Sequence, residues 1–170
     1  FDTRILLKGG NYGRRRPGAY FRLFKTYRQP LTNVDTSRTW INYIDTNSRF
    51  CKTTPFFITS IQMDKFCKDV GIVPVDYPLE LSFCHWDPML EDFIKDPNIT
   101  GIVLPSILGL TEDKERRDYL FNLALSNDTH LLFADESIYL NNDSELNYIN
   151  AIFEYINNEE DPDLLLGHTR

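Results

Sequence analysis

Two short runs, 101–104 and 130–134, are apolar at nearly every position. A strand buried on both faces reads this way, because neither side of the pleat meets water. Around them lie segments with helical spacing. Met63, Phe66, Cys67 and Val70 fall at i, i+3, i+4 and i+7, and Gly71 follows as a C-terminal stop. Asp87-Pro88 offers a helix start, with an acidic cap and a proline in the first turn. Thr111 is placed as the cap of a longer helix carrying Leu120, Leu123 and Ala124. Ser144 is placed as the cap of a last one, with Leu146, Ile149, Ile152, Phe153 and Ile156 turned inward. Alternation of strand and helix predicts a partly parallel sheet joined by crossover helices.

The front of the chain is different. Residues 1–60 read mostly as strand. Ile5-Leu6-Leu7 and the aromatic-rich 20–28 predict an antiparallel hairpin with a long tip over 9–18, rich in glycine and arginine. Runs 40–44 and 56–60 read as further strands, and Leu79, Leu81 and Phe83 alternate with Glu80 and Ser82 as a half-buried one. The expected fold is therefore mixed α/β (α+β). It has a central mixed sheet of about five to seven strands, with three to four helices packed on it. The 170 residues fit one domain, 42% of them hydrophobic, which suffices for a core without staples. Residues 61–156 form the alternating part and 157–170 an acidic tail. The chain opens on Phe1-Asp2 without Met and is read as a piece of a longer protein.

No apolar run is long enough to span a membrane as a helix. Cys51, Cys67 and Cys84 are odd in number and lack a CxxC pair, so free thiols in a reducing compartment are expected. Asn98, Asn127 and Asn142 each begin a glycosylation acceptor pattern, a weak signal against that compartment. The expected location is intracellular, nucleus or cytoplasm.

Charge is polarised. Residues 1–40 hold nine Lys/Arg against Asp2 and Asp35, while the whole chain carries −7. The candidate binding residues are Arg14, Arg15, Arg16, Tyr20, Arg22, Lys25 and Arg28. Arginine pairs bidentately with carboxylate or phosphate, and aromatics can stack on bases. An acidic chain argues against broad nucleic-acid affinity, so an acidic protein surface is the expected partner, with nucleic acid second.

No motif names a reaction. His85, His130 and His168 stand far apart, and Cys84-His85-Trp86-Asp87 has no known zinc-ligand spacing. GxSxG, GxxxxGK[ST] and GxGxxG do not occur, so no cofactor is expected. Asp45 and Asp135 end expected strands, with Glu136 beside the latter. If they share a rim they could hold Mg²⁺ and support phosphodiester hydrolysis; Asp is also an ordinary turn former there. The expectation is a non-catalytic protein–protein interaction domain, a scaffold subunit of a complex. A metal-dependent nuclease on Asp45, Asp135 and Glu136, or a DNA/RNA-binding module on the 14–16 loop, stand as alternatives.

Overall fold

The computed structural model describes residues 31, 33–81 and 86–160, apart from the side chains of 158–160. The expected N-terminal hairpin and its seven candidate binding residues lie outside that range, as do Cys84, His85 and His168.

Within it the order is β1 (Trp40–Asn42), β2 (Ile44–Asp45), α1 (Arg49–Thr53), α2 (Phe56–Val70), β3 (Leu79–Glu80), α3 (Pro88–Lys95) and β4 (Gly101–Leu104). A 3-10 turn (Ile107–Gly109), α4 (Lys114–Ser126), β5 (His130–Phe133), β6 (Ile138–Leu140) and α5 (Asp143–Glu160) complete it. The main sheet runs β1-β4-β5-β6, and β2 pairs with β3. All pairings are parallel except β5 with β6, so the sheet is mixed as expected. Its antiparallel edge is β6, a strand the apolar patterning alone had not picked out.

Period two sorts the core. Ile41, Ile102, Leu104, Leu131, Phe133, Ile138 and Leu140 enter one cluster with Leu90 and Ile94 of α3, Leu120 and Phe121 of α4 and Ile152 and Phe153 of α5. Trp40, Val103, Leu132 and Tyr139 alternate to the other face, where Met63 and Cys67 of α2 cover them. Burial on both faces is why 101–104 and 130–133 contain almost nothing polar. Gly101 has a local reason. Its register partner is Trp40, and an added Cβ would lie 2.5 Å from the indole ring.

Residues 56–60, read from sequence as a strand, are the first turns of α2, where Thr59 is fully buried. Met63 and Cys67 continue that inward line at helical spacing. Gly71, at φ 85°, ends the helix as expected. The cap of α4 is Asp113 rather than Thr111, its side chain accepting from the Arg116 N–H at 2.9 Å. Asn142 rather than Ser144 accepts from the first turn of α5, at the Glu145 N–H.

Beside β1 the chain from Val75 to Glu80 runs as the outer edge among the described residues. The Asn42 N–H donates to Asp76 O, the Ile44 N–H to Pro78 O and the Thr46 N–H to Glu80 O. Val73, Val75, Tyr77 and Leu81 stay exposed there. Among the described residues no helix is long and apolar enough to cross a membrane.

Candidate active site at the carboxyl ends of the parallel strands

The connection from β1 to β3 carries α2 over one face of the sheet. The next, from β3 to β4, carries α3 over the other. Chain direction therefore diverges on either side of β1, at the ends of β1, β2 and β4. In open α/β sheets ligands bind at such a point. Residues 45–48 follow β2 into this rim and α1 packs on the 3-10 turn after β4, Phe50 joining Ile107 and Leu108 in the core.

Three carboxylates from three elements meet there. Asp45 ends β2, Glu80 ends β3 and Asp87 precedes α3; all are buried. Asp87 is the N-cap residue of α3 as expected, but its side chain makes no capping bond. It sits at φ 47°, in the left-handed region, and its Oδ2 accepts from the Thr111 N–H at 3.0 Å. Glu80 Oε2 accepts from the Met89 N–H at 2.9 Å. The buried Tyr43 hydroxyl stands 3.5 Å from both Glu80 Oε2 and Asp87 Oδ1. Asp45 turns the chain by accepting from the Asn47 N–H at 2.9 Å, and it also hydrogen-bonds Asp87. Two carboxylates can share such a bond only through a proton. Burial, then that bond, then the charge of Asp45 push the Asp87 carboxyl well above its usual range. Burial and the same acids push the Tyr43 hydroxyl up as well.

A second acid stands at the ends of β4 and β5. Glu136 lies in the turn between β5 and β6, 1% exposed. Its Oε1 is 2.5 Å from Ser106 Oγ, and its Oε2 accepts from the Ile107 N–H at 3.1 Å. Ser106 Oγ in turn accepts from the Leu108 N–H at 3.1 Å, capping the 3-10 turn. Burial, and then the neighbouring Asp135, push the Glu136 carboxyl up to about 8.

These partners correct the sequence expectation for the acids. Asp45 joins Glu80 and Asp87, while Glu136 joins Ser106. Among the described residues no three His, Cys, Asp or Glu side chains are grouped to hold a metal ion. The geometry that the metal-dependent nuclease required of Asp45, Asp135 and Glu136 is thus not formed.

The hydroxyls and cations of the rim are also placed. Thr46 Oγ1 donates to Glu80 O at 2.9 Å, and Ser48 Oγ caps α1 by accepting from the Cys51 N–H. Arg49 pairs with Glu112 at 3.3 Å, and Lys52 is exposed on α1. Arg117 is buried, stacks 3.7 Å over the Phe153 ring and donates to Thr111 O and Glu112 O, fixing the loop that binds Asp87. Sequence reasoning reached Asp45 and Glu136. It missed Tyr43, Glu80, Ser106 and Arg117, which gain their roles only from neighbours distant in the chain.

No protein-family model matches the chain, and no curated protein matches it. Among solved structures, the fold is similar to the N-terminal catalytic domain of TP901-1 integrase. The TM-score is 0.52 at 15% identity, covering 72% of this chain and 96% of that one. It is also similar to a resolvase-family site-specific recombinase from Streptococcus pneumoniae. There the TM-score is 0.53 at 10% identity, covering 78% and 96%. At such identities the likeness shows the fold. It overturns the expectation of a non-catalytic protein–protein interaction scaffold, since the shared fold is a catalytic domain in one neighbour and a recombinase in the other.

Proposed function

We propose that this chain is a recombinase-type catalytic domain acting on DNA inside the cell, with the rim at β2, β3 and β4 as its working face. The observation that carries the proposal is the shared fold, which spans 96% of both recombinase neighbours. The gathering of Asp45, Glu80 and Asp87 at the sheet's switch point supports it independently.

Transfer of a DNA phosphodiester needs a proton route, a nucleophile and cations on the phosphate. Asp45 and Asp87, sharing a proton, serve as the acid–base pair, because a raised carboxyl pKa suits proton exchange near neutral pH. Thr46 is the candidate nucleophile, its hydroxyl held at the same rim by Glu80 O. Arg49 and Lys52 of α1 lie just beyond it in the chain. Eight of the 18 Lys/Arg precede residue 31, and of these Arg14, Arg15, Arg16, Arg22, Lys25 and Arg28, with Tyr20, are the DNA-contacting residues of this reading. Nucleic acid thus takes precedence over an acidic protein as partner.

The test combines binding and chemistry. Anisotropy with labelled duplex should show affinity falling steeply between about 50 and 200 mM salt, through counterion release. Replacing Arg14, Arg15 and Arg16 with Ser should flatten that slope by up to about three units. The same protein should relax or nick supercoiled plasmid, and Asp45→Asn should slow this at least about tenfold. Absence of binding at low salt, or binding with plasmid left intact, sinks the proposal.

A further inference from the structure

A pocket of about 140 Å³ lies between α2 and the outer edge of the strands. Asn42 at the end of β1, Ile44 of β2 and Leu79 of β3 face it from the sheet, and Met63 and Asp64 from the helix. Phe56 and Tyr77 line it while staying exposed, which puts two aromatic rings at its mouth. Ile44 and Leu79 immediately precede Asp45 and Glu80. By the alternation of a strand, the pocket and the carboxylate cluster therefore occupy opposite faces of β2 and β3.

Asn42 is the unusual member. It is 3% exposed, and among the described residues its side chain makes one hydrogen bond, accepted by Oδ1 from Cys67 Sγ at 3.3 Å. Burial pushes the Cys67 thiol up to about 11, so it stays a donor and holds the amide oxygen toward itself. The Nδ2 group is left without an acceptor in a pocket that the side chain lines. A buried donor of this kind costs stability until something accepts from it. The size and chemistry of the pocket narrow what that is. A cavity of roughly 150 Å³ holds a benzene ring, so one six-membered ring fits. An alkylammonium or guanidinium group brings no acceptor to Nδ2. A phosphate or carboxylate would meet Asp64 as a like charge. A neutral planar ring carrying a carbonyl and an N–H answers both polar groups, and its faces suit Phe56 and Tyr77.

We propose that this pocket binds a pyrimidine base, with Asn42 Nδ2 donating to a ring carbonyl and Asp64 accepting from a ring N–H. The base is that of a free nucleoside or of a nucleotide turned out of a DNA or RNA strand; the recognised chemistry is the same. The site stands apart from the carboxylate rim and does not depend on the recombinase reading, because a nucleoside tests it without any strand.

Titration of the ¹⁵N-labelled chain with thymidine reads the site directly. The Asn42 side-chain NH₂ signals and the amides of Ser60, Asp64 and Tyr77 should shift together and saturate at millimolar ligand. N3-methylthymidine, which lacks the ring N–H, should bind about tenfold more weakly. Asp64→Ala, a change at an exposed position, should narrow that gap. Asn42→Leu should weaken thymidine at least about fivefold while leaving toluene, which fits by size alone, unaffected. Absence of saturable shifts, equal affinity for the two nucleosides, or equal loss of thymidine and toluene in Asn42→Leu overturns the proposal. Should Asn42→Leu fail to fold, the two nucleosides and Asp64→Ala decide. Single-stranded oligothymidylate then separates the sources. Competition for the same signals assigns the site to a base in a strand, and lack of competition assigns it to the free nucleoside.

Discussion

Replacing Glu136 by Gln should make the fold more stable, and the gain should grow with pH. The carboxyl is 1% exposed, and its pKa stands at about 8, against a usual value near 4.3. Folding at neutral pH therefore takes up a proton. Each pH unit between the two values removes about 1.4 kcal/mol from the folded state. The loss is about 1 kcal/mol at pH 5, roughly 3–4 at pH 7, and approaches about 5 by pH 9. The sign is that of a raised pKa: stability is whole below the unfolded value and is lost as pH climbs through the folded one. Glutamine reproduces the protonated acid. Its NH₂ can donate to Ser106 Oγ while its carbonyl accepts from the Ile107 N–H. Urea denaturation, followed by fluorescence of the buried Trp40, should place the variant within about 1 kcal/mol of wild type at pH 5 and roughly 3–5 above it at pH 9. A constant difference across that range would mean that Glu136 is ionised in the fold, and would refute the reasoning.

Two further changes probe the same architecture. Asp87→Asn keeps an acceptor for the Thr111 N–H and tolerates φ 47°. It also gives Asp45 a donor that needs no shared proton, so at pH 8 it should stabilise by roughly 1–3 kcal/mol with little effect at pH 5, as denaturation curves would report. Gly101→Ala should destabilise by about 1–3 kcal/mol, read as a fall in Tm, because its Cβ would press into the Trp40 ring.

The parts of the fold legible in the sequence are those where burial leaves no alternative. Runs 101–104 and 130–133 are closed in from both faces, so their composition reports their position. The stripe Met63, Cys67 and the stop at Gly71 report α2 for the same reason. Residues 56–60 misled because Phe-Phe-Ile-Thr favours strand locally, while the buried line through Thr59, Met63 and Cys67 pulls it into the helix. β6 was missed because three residues are too few to show a period. At the rim, Asp45 and Glu136 were visible as acids after strands. Their true partners, Glu80 and Asp87 for one and Ser106 for the other, come from other elements and meet only once the crossovers close. His130 looked isolated for a similar reason, since Tyr139 reaches it across an antiparallel pairing that the patterning did not reveal.

The outer edge beside β1 has a consequence for how this chain behaves in crowded solution. An uncovered strand with apolar side chains is normally a template on which a second chain can grow a ladder. Here Val73, Val75 and Tyr77 are interrupted by Pro74, Asp76 and Pro78. Pro74 has no N–H to offer an incoming strand, the Tyr77 N–H is already taken by Asp76 Oδ1 at 2.8 Å, and that exposed carboxylate opposes an approaching chain. Among the described residues this border stays open to water without inviting aggregation, the protection being written into the strand itself.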